Sequence, residues 1–170
     1  MLRNLTLSFV CITTLGAHAQ LTITDSLNTA QIANLLEGLN VAVSNVTTTC
    51  DARAVGEFGG VSEIPFTQGI ILSTGAVDDA AGINMNTGTS TAFSLVGDPD
   101  LDSLAAVPTT DACVIEFDCV PFGDTLLFNF AFASEEYPEF VGTFNDVFGI
   151  LLSGPGINGP FSNNAINVAL

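Results

Sequence analysis

The chain contains no lysine and no tryptophan, a single tyrosine (Tyr137), a single histidine (His18) and two arginines (Arg3 and Arg53). Against these two cations stand 18 Asp and Glu, for a formal net charge of −16 over 170 residues. Charged residues make up 12% of the chain, below the roughly 25% of an ordinary globular protein. The shortfall is therefore in cations rather than a surplus of anions. It excludes a nucleic-acid partner, because phosphate neutralisation needs Lys and Arg, and it disfavours anionic membrane surfaces. Long apolar runs are scarce as well. The one candidate, Leu5–Gly16, falls short of the roughly 20 residues a membrane-spanning helix requires, so no membrane insertion is expected.

What that run does fit is a leader. Met1–Asn4 is a short start carrying Arg3, the apolar run follows, and Ala17-His18-Ala19 forms an A-x-A cleavage signal before Gln20. Residues 1–19 are thus expected to be a secretory signal peptide. Cys11 has no small-residue lipobox before it, so a lipoprotein anchor is not expected. Removal of the leader takes His18 and Arg3 with it and leaves Arg53 as the one basic side chain against 18 acids. Residues 20–170 suit one domain. Their content of aliphatic residues and Phe argues against disorder.

Three cysteines remain: Cys50, Cys113 and Cys119. Cys113 and Cys119 lie six apart in one apparent strand, roughly 20 Å when extended, too far to bridge. Any disulfide in an oxidising compartment would join Cys50 to one of them. Three buried thiols are the alternative.

One short N-terminal helix is legible. Asn28 can cap it, Gln31 stands at capping-box spacing, and Ile32, Leu35, Leu36 and Leu39 share a face that Gly38 or Asn40 ends. The rest alternates between strands and turns. Val41–Thr48 is rich in β-branched residues, and Gly69–Thr74 is a short apolar strand closed by Gly75. Cys113, Ile115, Phe117 and Cys119 share one strand face, with Glu116 and Asp118 opposite. Leu126, Phe128, Phe130 and Phe132 form another apolar face, and Phe144, Phe148, Ile150 and Leu152 a third. Ala165–Leu170 reads as a last strand, and Ala80–Ser94 as a long exposed loop. These signals predict a mainly β chain, a β-sandwich or jelly roll with minor helical turns.

Three acidic stretches could carry chemistry. Asp98-Pro99-Asp100-Leu101-Asp102 resembles the start of a calcium loop, but Ser103 and Thr109 stand where that loop needs Gly and Glu. A short helix capped by Asp98 with Pro99 first is the better reading. Asp78-Asp79 reads as a solvated loop pair. The densest stretch is Ser134–Asp146. Pro138 biases Tyr137 to an extended shape, and the segment carries Glu135, Glu136 and Glu139. Asp146 shares strand parity with Phe144 and Phe148, where an unpaired carboxylate is costly. Backbone amides, Arg53 or a cation would have to satisfy it. Glu135, Glu136 and Asp146 offer hard oxygen ligands suited to Ca²⁺ rather than zinc or copper. Glu135, Glu136, Tyr137, Glu139 and Asn145 are the expected ligand-binding residues. A carboxylate pair could also serve a glycoside hydrolase, the enzymatic alternative. With no His or Lys beyond the leader, other hydrolytic chemistry is excluded, and a non-catalytic module is expected.

These residues resemble a known family, the choice-of-anchor L domain of bacterial secreted and cell-surface proteins. The similarity rests on Gly69–Gly75 (GIILSTG), Gly97–Leu101 (GDPDL), Phe132–Val141 (FASEEYPEFV), Phe144–Gly149 (FNDVFG) and Leu152–Pro155 (LSGP), and it spans about Leu21 to Leu170. The resemblance implies export, a β-rich fold, no general catalytic activity, and C-terminal sorting modules such as those of type IX secretion or gliding motility. Such proteins continue past the point where this chain stops, so the domain is expected to be truncated. Asn145–Leu152 also resembles, in pattern only, the legume-lectin strand that contacts sugar beside a calcium site. Together these point to an adhesion or binding module at the cell surface or outside the cell, Ca²⁺-stabilised, with an extracellular glycan or surface protein as partner. A purely structural spacer is the further alternative.

Overall fold

The computed structural model describes residues 21–38, 40–60, 62, 64–134, 137 and 139–169. The expected signal peptide, Leu39, Glu135, Glu136, Pro138 and Leu170 lie outside the described residues.

The chain is mainly β, with small antiparallel sheets and few helices. Strand β1 (Thr22–Asp25) leads into helix α1 (Thr29–Leu36), which is followed by β2 (Val41–Thr49). The start of α1 is fixed locally. The Asn28 side chain accepts from the amides of Ala30 and Gln31, both at 3.0 Å, and the Gln31 side chain accepts from the Asn28 amide at 2.9 Å. These bonds satisfy amides that the first helical turn would otherwise leave open. Ile32 on the inner face is fully buried, a contribution of roughly 1.5–3 kcal/mol.

Strands β3 (Val55–Gly59) and β4 (Gln68–Leu72) complete a sheet in the order β1-β3-β4. The central strand β3 has ladder partners on both sides and buries Val55 and Phe58. Val77, in a 3-10 turn at Val77–Ala80, is fully buried and adds to this core. Ala54, Ala112 and Ala165 are also buried.

Strand β5 (Val114–Pro121) pairs with β2. Ile115, Phe117 and Cys119 are half-buried while Glu116 and Asp118 are exposed, the alternation expected from the sequence. The ladder breaks once. Asn45 and Val46 together oppose Phe117 alone, between the pairs Ser44↔Asp118 and Thr47↔Glu116. This is a β-bulge, with Asn45 at φ 53° and its side-chain Nδ2 donating to the Asp118 carboxylate at 2.6 Å. One rung beyond Thr49↔Val114, Cys50 and Cys113 form a disulfide with Cα atoms 4.7 Å apart. Register thus selects the partner of Cys50: Cys119 opposes Val43, far along the ladder, and is a half-exposed free thiol. The alternative of three reduced thiols does not hold.

Helix α2 (Pro99–Ala105) begins as the sequence predicts, with Asp98 accepting from the amides of Asp100 and Leu101 at 2.9 and 3.1 Å. The last two strands are short: β6 (Leu151–Leu152) pairs with β7 (Ile166–Asn167).

Three expected strands are absent or shortened. Leu126–Phe132 forms no strand, and only Leu151–Leu152 of the Phe144–Leu152 run does. Alternation states which face a strand would bury, but a strand also needs a ladder partner. No ladder reaches 126–132, and Phe128, Phe130 and Phe132 remain 40%, 47% and 57% exposed. The C-terminal run likewise shortens to β7. The three sheets establish antiparallel, mainly β structure.

Candidate functional site

The acidic residues divide into those that hold the fold and those left facing solvent. Asp102 belongs to the first group, accepting from the Thr109 amide at 2.6 Å and its hydroxyl at 2.7 Å. The Thr109 hydroxyl and then its amide hold the Asp102 carboxyl below its ordinary value of 3.8. The Asp100 carboxylate accepts from the Ser162 amide at 3.0 and 3.2 Å. Asp111 accepts from the amides of Leu95 and Phe93 at 2.6 and 3.2 Å. Asp79 accepts from the Thr91 hydroxyl at 2.6 Å, while Asp78 is exposed. Each carboxylate pins a loop through donors it would otherwise have to find in water, which accounts for the Gly97–Leu101 motif as a folding device.

Arg53 is also committed. Its Nε lies 3.1 Å from Asp51 Oδ1 and its guanidinium 4.8 Å from the Phe93 ring centroid. The Arg53 backbone amide, followed by its side chain, lowers the Asp51 carboxyl below 3.8. Arg53 therefore does not serve Asp146.

Described residues of the 132–146 stretch form a groove. After β5 the chain runs through 122–134 outside any ladder and turns at Phe140, whose carbonyl accepts from the amides of Thr143 and Phe144 at 2.8 and 3.2 Å. Gly142 makes the turn at φ 80°, a conformation that disfavours any residue with a Cβ. The turn folds Phe144, Asn145 and Asp146 back toward Phe132, Ser134 and Tyr137 around a space of about 180 Å³. Phe140 and Phe144 meet edge-on with centroids 5.5 Å apart and planes at 63°, a favourable quadrupole arrangement. Tyr137 is 73% exposed and Phe144 58%, so aromatic faces are presented to solvent.

Of the expected site residues, Tyr137, Asn145 and Asp146 line this groove, and Glu139 is exposed but does not line it. Glu135 and Glu136 lie outside the described residues. Asp146 is exposed, so the burial cost that singled it out does not arise. Among the described residues it is the one carboxylate lining the groove, and no group of three metal-ligating side chains is present among them. Reading the sequence for carboxylates passed over Phe132, Phe140 and Phe144. The density of aromatics between Phe132 and Phe148 was the signal that could have found them. A second cavity of about 260 Å³, between α1, β2, β5 and residues 126–129, is lined by Leu35, Val43, Phe117, Cys119 and Phe128 among others. Its lining is largely apolar, with Asn129 and the Cys119 thiol as its polar side chains.

Among the described residues no helix is long and apolar enough to cross a membrane. No curated protein and no solved structure matches the chain. The family model of the choice-of-anchor L domain matches residues 20–170, essentially the whole chain. The chain belongs to the choice-of-anchor L domain family, a module of cell-surface and secreted proteins.

Proposed function

We propose that this domain is a non-catalytic binding module of the cell exterior, that the 132–146 groove is its ligand site, and that its ligand class is carbohydrate. The observation that carries this reading is the gathering of Phe132, Tyr137, Phe140 and Phe144 around Asn145 and Asp146. A sugar ring presents C–H faces, which pack on aromatic faces, and a rim of hydroxyls. Asn145 can both donate to and accept from such hydroxyls, and Asp146 can accept. The three antiparallel sheets are read as parts of a β-sandwich that holds this loop. Glu135, Glu136 and Asp146 are proposed to bind Ca²⁺ through their hard oxygens.

Glycan binding is measured for the parent and for Phe144→Ala and Asn145→Ala, with thermal melts as the folding control. Loss of binding with unchanged melts supports the groove as the site. Release of reducing sugar by the parent would overturn the non-catalytic reading. Melts with Ca²⁺ and with chelator test the cation: a bound ion raises stability by linkage, and superimposable melts would remove it from the proposal.

A further inference from the structure

We infer that the groove selects an uncharged pyranose residue and turns away sugars bearing carboxylate or sulfate. This inference rests on the proposed reading of the groove as a saccharide site and narrows the ligand by charge and size.

Asp146 borders the groove, and no cationic side chain does so among the described residues. None is at hand to be recruited among them. The chain has no lysine, His18 and Arg3 fall within the first 20 residues, and Arg53 is paired with Asp51 and laid over Phe93. With no cation bound, an acidic sugar would meet Asp146 without a counter-charge, inside the field of a chain whose net charge is −16. Proteins that read carboxylate or sulfate do so with arginine forks or lysine, and the groove offers neither. About 180 Å³ lies below the roughly 300–1,000 Å³ of pockets that enclose drug-sized ligands, so the space within the groove itself matches about one ring. Tyr137 and Phe144 are the most exposed aromatic surfaces in it, placed to take the ring's C–H face.

The assay can be read inside the site. Tyr137 is the chain's one tyrosine and there is no tryptophan, so intrinsic fluorescence reports the groove directly. The full chain is titrated with methyl hexosides and with the matching uronates and sulfated sugars, in Ca²⁺ and in chelator. The neutral sugar is expected to bind roughly five- to tenfold more tightly than its acidic counterpart at low salt. The gap should shrink at about 1 M salt, where the screening length falls to ~3 Å. Asp146→Asn, a change at an exposed position, should bring the two within about twofold, since the repelling charge is gone. Uronate binding equal to or tighter than neutral binding in chelator overturns the selectivity and leaves the saccharide reading standing. A gap that Asp146→Asn does not change overturns the role of Asp146. No fluorescence response to any sugar, confirmed by a blank glycan array, overturns both readings together.

Discussion

Removing the Cys50–Cys113 bridge should cost this domain a large share of its stability. The bridge joins residues 63 apart in sequence, and the span it closes contains β3, β4 and α2. In the chain-entropy account a cross-link of that length restricts the unfolded ensemble by about 4 kcal/mol at 25 °C. Domains have only about 5–15 kcal/mol in total. For a chain of this size each kcal/mol moves Tm by roughly 2–4 °C, so the Cys50→Ala/Cys113→Ala variant should melt about 8–16 °C lower. Urea titration should show a steeper transition as well, because an unfolded chain without the cross-link exposes more surface. Cys119→Ala is the control. Its thiol opposes Val43 and closes no loop, so its effect should stay near that of an ordinary half-buried substitution, about 1 kcal/mol. A loss below about 1 kcal/mol in the double variant, or an equal loss in Cys119→Ala, would refute the reasoning.

Two further outcomes follow from the loop-pinning carboxylates and their surroundings. A Cβ at position 97 would collide with the backbone carbonyl of Thr109. Gly97→Ala should therefore cost about 1–3 kcal/mol, whereas Gly123→Ala, which points into open space, should stay within about 0.5 kcal/mol in the same urea melts. Asp102 has a depressed carboxyl pKa in the folded state, caused first by the Thr109 hydroxyl and then by its amide. Its contribution is thus present above its unfolded value of 3.8 and is lost as pH falls through the lower folded value. Asp102→Asn should flatten the acid limb of the stability–pH curve; an unaltered limb would show that Asp102 gains nothing from Thr109.

Much of the local structure was legible because its causes are local. Asn28 and Gln31, and Asp98 with Pro99, hold within a few residues everything a helix start needs, and both helices begin where those signals stand. The alternation of β5 was equally plain. Pairing was not, because it depends on register. The choice of Cys113 over Cys119 for Cys50 follows from the ladder and its bulge at Asn45 and Val46, which no spacing along the chain reveals. The alternating Phe run at 126–132 misled for the related reason that periodicity carries no information about whether a ladder partner exists. At the candidate site, Tyr137, Asn145 and Asp146 were found as a stretch of sequence. Their convergence with Phe132 required the turn at Phe140–Phe144.

The scarcity of cations has a consequence for survival outside a cell. A trypsin-like protease, which needs Lys or Arg at the scissile bond, finds past residue 20 a single target, Arg53. That target sits in a 3-10 turn at Ala52–Ala54, its guanidinium engaged by Asp51 and stacked on the Phe93 ring. Should the turn be cut all the same, Cys50 would lie on one fragment and Cys113 on the other, and the disulfide would keep the two pieces together. The bridge that closes the β2–β5 ladder thus doubles as a splint across the one place where such an enzyme could nick the domain.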